Sequence, residues 1–212
     1  MSREPGPSGF APERAHHVLR ADCGRCFGLC CVAPAFSASA DFAIDKPAGR
    51  PCPHLQPDFR CSVHTDLRGQ GFRGCAVYDC FGAGQQVSQV TFGGRDWRRD
   101  PRAAAQLNEV FPIMRQLHEL LWYLAAALAL RPARAVHHEL RQAFTATQAM
   151  THSPAGVLLG LDTGRHRAQV NAVLARASEL AQAQLDAAEG DTGTMLPPSL
   201  TRPAHWTGQR LA

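Results

Sequence analysis

From Pro101 onward apolar side chains recur at three- and four-residue steps: Leu107, Val110, Phe111, Met114, Leu117, Leu121, Leu124 and Leu128. That spacing places them on one face of an α-helix. Pro112 lies inside the pattern and lacks a backbone donor, so a kink or a new helical segment is expected near it. Pro132 opens a second helix, on which Val136, Leu140, Phe144 and Thr147 share a face. Ser153, Pro154, Ala155 and Gly156 break that helix. A third stripe, Val170, Val173, Leu174, Ala177, Leu180 and Ala181, runs from about Arg165 to Ala187.

Upstream of these stripes the helical period is lost. VAPAFSASADFAIDKPAGRP, residues 32–51, is punctuated by Pro47-Ala48-Gly49 and Pro51 and reads as loop, with a short strand over Asp41 to Ile44. Gly82, Gly84, Gly93 and Gly94 bracket QQVSQVTF, a brief β-like segment. The expected fold class is mainly α: an irregular cysteine-rich metal-bound module over residues 21–95, then a three-helix antiparallel bundle over 96–188. Residues 1–20, rich in Pro, Gly and charge, are expected to be disordered apart from a short helix over Glu13 to Arg20. Residues 189–212 read as a flexible tail, from which Trp206 docks on the bundle.

Charge and hydropathy narrow the functional classes. A net charge of +4 spread along the chain, with no dense basic arm, gives little reason to expect nucleic-acid binding. The bias against lysine, with Lys46 alone, is read as genome composition. The longest apolar run, Leu120 to Leu130, is roughly half the length a membrane-spanning helix needs. The first twenty residues have no apolar stretch of the secretory kind, so the expected address is the cytoplasm.

The strongest chemical signal is the cysteines. All eight, Cys23, Cys26, Cys30, Cys31, Cys52, Cys61, Cys75 and Cys80, fall within the first 80 residues. In a reducing compartment such clustering favours metal ligation or thiol redox chemistry over disulfides. CGRCFGLCC places Gly24 and Gly28 between sulfurs, where sharp backbone turns let several thiolates converge. His54 and His64 lie close by as imidazole ligands. Zinc takes four sulfur or nitrogen donors and [4Fe-4S] clusters take four cysteines, so eight sulfurs suffice for two sites; the spacing does not separate the two cofactors. Arg25 and Asp79 are placed to tune the sulfurs or simply to face solvent in turns, and His118, His137 and His138 are read as ordinary helical histidines.

Cys23, Cys26 and Cys30-Cys31, followed by CPHL at Cys52 to Leu55, RCSVH at Arg60 to His64 and GFRGCAVYDC at Gly71 to Cys80, resemble the CxxCxxCC, YkgJ-type group of zinc- or iron-chelating proteins, to which the flagellin lysine methylases are related. The family pattern has two residues before the paired cysteines; here Phe27, Gly28 and Leu29 make three. CFGLCC, ADFAIDKPAG, GFRGC, DCFGAGQ and FPIMRQLHELL are similar to the amino-terminal region of actinobacterial pentapeptide-repeat proteins, although no five-residue repeat occurs in this chain. The resemblance implies a metal-chelating head with a helical companion, with no reaction attached.

The leading expectation is therefore a metal-binding protein, holding zinc or an iron–sulfur cluster, with a structural, sensing or scaffold role. The alternatives are a redox or methyltransferase-like enzyme using an iron–sulfur cluster and a metal-dependent transcriptional regulator. Neither a nucleophile elbow, a phosphate-binding loop, H-E-x-x-H nor G-x-G-x-x-G is present. The partner of the helical region is unassigned.

Overall fold

The computed structural model describes residues 19–192, with side chains to 188. The expectations for the N-terminal segment before Leu19 and for the tail beyond Thr192, Trp206 included, lie outside the described residues.

The protein is mainly helical, and among the described residues β-structure is confined to two isolated bridges, Phe36 with Lys46 and Leu55 with Cys61. In chain order the helices are α1 (Arg73–Val77), α2 (Ala83–Gln85), α3 (Pro101–Ala129), α4 (His137–Thr151), α5 (Ala155–Leu159) and α6 (Thr163–Thr192). The Asp100 carboxylate caps α3 by accepting from the N–H groups of Arg102 and Ala103 at 3.0 and 3.1 Å, and Pro101 occupies its first turn, where no donor is needed.

α3 continues as one helix through Pro112, which is exposed, so no new segment begins there. The carbonyl of Asn108 loses its helical donor there, but Val110, Phe111 and Met114 on the opposite face are fully buried and hold both sides of the proline against one core. Asp41 to Ile44 is the tip of a loop rather than a strand: the Phe36–Lys46 bridge closes its base, and Phe42 folds back to stack on Phe36 at 4.5 Å. QQVSQVTF is helical, passing from α2 into a π-helical turn, Gln86–Thr91. Gln85, Ser88 and Gln89 are three and four residues apart, and all three bond to residues 20–27. α6 also runs past Gly190 to Thr192.

Two apolar clusters share α3. Its C-terminal half, with Leu120, Leu121, Leu124 and Leu128, packs with Val136, Leu140 and Phe144 of the α4 region and Val170 and Ala177 of α6. Its N-terminal half, with Leu107, Val110, Phe111, Met114 and Leu117, packs with Leu29, Ala33, Ala83, Val87 and Phe92 of the cysteine-rich segment and with Leu158 of α5. Glu119 of α3 pairs with Arg167 of α6 at 3.0 Å, and Glu139 of α4 with Arg176 of α6 at 3.3 Å. The second cluster gives the cysteine-rich segment a core of its own kind, continuous with the long helix.

Leu124 has no exposed surface. Leu124→Ala is expected to destabilise the helical region by about 2–5 kcal/mol, the cost of a buried leucine plus its cavity. Urea unfolding followed by circular dichroism checks this, and an unchanged midpoint would contradict the packing described.

Candidate thiol-lined site

The first knuckle begins with a 3₁₀ turn, Cys23–Arg25, capped by Asp22, whose carboxylate accepts from Gly24 N–H at 3.1 Å. It is fastened to a distant segment. Phe27 N–H donates to Ser88 Oγ at 3.0 Å, Gln89 Nε2 donates to the Arg25 carbonyl at 2.7 Å, and Trp97 Nε1 donates to the Phe27 carbonyl at 2.9 Å. Gly28 then turns the chain at φ +70°, and a Cβ there would meet Leu55 Cδ1 at 2.6 Å and the Phe59 carbonyl at 3.0 Å. Only glycine fits both the torsion and the space. Gly24, by contrast, has no positive φ.

Past the turn, Cys31 accepts at its carbonyl from Cys52 N–H at 2.9 Å. The Leu55–Cys61 bridge and the bond from Ser62 N–H to the His54 carbonyl at 2.8 Å fold residues 52–62 back on themselves. Cys75 sits on α1 and Cys80 just before α2.

These turns surround a cavity of about 180 Å³, lined by Cys23, Cys30, Cys31, Cys52, Cys61, Cys75 and Cys80 together with His54 and His64. Phe36, Phe42, Phe72 and Tyr78 complete its wall. Cys26 is not part of that lining; its sulfur lies against Gly84, where an added Cβ would come within 2.6 Å of it and 3.9 Å of Cys80 Sγ. All eight thiols are free.

Crowding and burial govern their ionisation. Burial pushes Cys26 up to about 11, although the N–H groups of Leu29 and Gly28 point at its sulfur and pull the other way. Burial likewise raises Cys80, against the N–H groups of Gly84 and Gly82. Cys75 is pushed to about 11 by burial and then by the neighbouring Cys30, Cys52 and Cys61. Within the adjacent pair, the hydrogen bond from Cys31 lowers Cys30 to about 7, and Cys31 is correspondingly held protonated. Backbone N–H groups aimed at sulfur suit an anionic thiolate, and thiolates that penalise one another suit a cation among them. The donor chemistry therefore fits a thiophilic metal or cluster. As the side chains stand, no group of three or more His, Cys, Asp or Glu among the described residues is disposed to hold a metal ion. Rotation between staggered χ1 wells swings a cysteine sulfur by about 3 Å.

The chain is similar to a protein of Bacillus subtilis (strain 168) named uncharacterized protein YybG. The two are 52% identical over 172 residues, which is 81% of this chain and 62% of the relative, so the chain spans less than two thirds of that protein's length. No family model matches the chain, and no solved structure matches it. The YkgJ-type likeness thus rests on the residues that carry it. Among the described residues no helix is long and apolar enough to cross a membrane.

Several neighbours of the thiols were not legible from spacing. The lone lysine, Lys46, is 4% exposed, and its Nζ donates to the carbonyls of Val32 and Arg50 at 2.9 Å and of Pro47 at 3.2 Å. Burial lowers its pKa, while Cys52, Cys31 and Cys75 raise it. Burial, then Cys30, Cys80 and Asp22, raise the Cys23 pKa, and Arg60 opposes them. The Asp79 carboxylate accepts from Phe81 N–H at 2.7 Å and so shapes the turn after Cys80. Phe81 has φ +51°, an uncommon backbone for a bulky residue. His118 of α3 secures it: only a protonated Nδ1 can donate to the Phe81 carbonyl, 2.7 Å away.

Two outcomes follow. Lys46→Met removes the donor from three carbonyls and is expected to cost on the order of 2 kcal/mol, measured by urea unfolding; equal stability would mean that these contacts contribute nothing. His118 is 3% exposed, and burial pushes its pKa down from 6.5 to about 4, with His152 acting in the same direction and the Phe81 bond opposing. The unfolded chain binds the proton that the folded one refuses, so stability is unaffected above pH 6.5 and is lost as pH falls toward 4. The loss is on the order of 3 kcal/mol. His118→Asn, which keeps a donor and does not titrate, is expected to flatten that window when the two proteins are compared at each pH; parallel curves would refute it.

Proposed function

We propose that this protein is a metal-binding protein in which the clustered thiolates hold zinc or an iron–sulfur cluster, with a structural, sensing or scaffold role and no reaction attached. The observation that carries the reading is the gathering of seven of the eight cysteines, drawn from positions 23 to 80, around one cavity. A metal shared by thiols from six separate stretches of chain would offset the burial and mutual repulsion that oppose their ionisation. The backbone N–H groups directed at Cys26 and Cys80 support the same reading. In it, residues 21–95 form a metal-bound module that the three long helices, as an antiparallel bundle, support.

An enzyme using an iron–sulfur cluster and a metal-dependent regulator are the other readings of the same thiols. Neither gains a particular observation. The relative carries no activity in its name, and Lys46, the buried cation near the site, donates to three carbonyls rather than presenting a nucleic-acid surface.

Protein purified without oxygen is expected to carry metal. Absorption near 400 nm with iron and acid-labile sulfide would identify a cluster, and colourless protein with about one or two zinc per chain would identify a structural site. Chelation is expected to expose residues 23–80 to proteolysis while the core around Leu124 and Leu140 persists, because a structural zinc contributes folding free energy on the order of 10 kcal/mol. Metal-free protein with unchanged protease resistance would overturn the proposal.

A further inference from the structure

Building on the metal-binding reading, we infer that the eight thiols form two adjacent four-sulfur centres, one of Cys23, Cys26, Cys30 and Cys80 and the other of Cys31, Cys52, Cys61 and Cys75, which meet at the Cys30-Cys31 pair.

The partition follows from how the backbone is tied. The knuckle bearing Cys23 and Cys26 is fastened by Ser88, Gln89 and Trp97 to the segment that begins at Cys80. Cys26 and Cys80 therefore both border Gly84, whose lack of a side chain leaves room for the Cys26 sulfur. Cys30 and Cys80 both act electrostatically on Cys23 and on Cys26. The other half is fastened elsewhere. Cys52 N–H bonds the Cys31 carbonyl, and the Leu55–Cys61 bridge returns Cys61 to the same side. Cys31 has Cys61 and Cys52 as neighbours besides Cys30, and Cys75 has Cys52 and Cys61. Cys75 also feels Cys30, which places Cys30 at the seam between the groups.

Gly28 explains why adjacent residues serve different centres. Its left-handed turn ends the first knuckle, and the 3₁₀ turn Leu29–Cys31 that follows displays consecutive side chains about 120° apart. Cys30 and Cys31 thus point in different directions from one short turn. Each centre also has its own cation: Arg60 near Cys23, and Lys46 near Cys31, Cys52 and Cys75. A four-thiolate site around a divalent ion is an excess of negative charge, and a fixed cation beside each offsets it.

The test uses the full chain, reduced, stripped of metal and titrated with zinc or with cadmium-113. Wild-type protein is expected to take up about two zinc per chain by native mass spectrometry and to give two cadmium resonances in the range of four-sulfur coordination. The pair Cys23→Ser and Cys80→Ser is expected to remove one resonance and the pair Cys52→Ser and Cys75→Ser the other. Gly84→Ala keeps every thiol but crowds Cys26, and is expected to weaken one of the two sites by roughly tenfold and leave the second unchanged. A single metal lost equally in both double variants, or equal weakening of both sites by Gly84→Ala, would overturn the partition and leave the metal-binding reading standing. No metal uptake by wild-type protein would overturn both.

Discussion

Everything around the thiols depends on a long-range docking in which the chain near residue 25 is bonded to the chain near residue 88. Ser88, Gln89 and Trp97 satisfy backbone groups of the first knuckle that would otherwise be unpaired beside an apolar core. Ser88 has no exposed surface, so its hydroxyl bond to Phe27 N–H is formed in a dry setting where an unmade partner is costly. Beside that contact Leu29, Val87 and Ala83 pack together against α3.

The module also has apolar and polar anchors besides its thiols. Leu29 and Val32 are buried within a few residues of Cys30 and Cys31, so the paired cysteines sit on a rigid shelf. On the opposite side Arg98 clamps the chain at Gln56 and Pro57, donating to both carbonyls at 2.8 and 2.6 Å, and its guanidinium lies 4.0 Å from the Phe59 ring. Arg115 reaches from α3 to the Asp79 carbonyl and over Tyr78. Long polar side chains from the helical region thus position loops that have little regular structure of their own.

Lys46 illustrates how burial changes the meaning of a residue. A lysine is rarely fully buried unless its charge is met, and here three carbonyls, the Phe36 ring and the nearby sulfurs of Cys31, Cys52 and Cys75 meet it. Its ammonium ties Val32, beside the cysteine pair, to Arg50, just before Cys52. One cation therefore both shapes the loop and lies within electrostatic reach of three cysteines.

The amphipathic stripes along α3, α4 and α6 were readable because helical period and burial coincide over many residues, and local spacing is enough to reveal that. The cysteine positions were readable as a cluster, and Gly28 as a turn, because residue type alone restricts the chemistry and the torsion. What depended on long-range packing was the identity of neighbours. Pro112 stays inside one helix because the buried face on both sides of it outweighs a missing bond, and QQVSQVTF is helical because Gln85, Ser88 and Gln89 find partners some sixty residues away. Lys46 and His118 carry no local pattern at all; their roles arise from which carbonyls and sulfurs a folded chain brings within hydrogen-bond reach, and sequence spacing does not encode that distance.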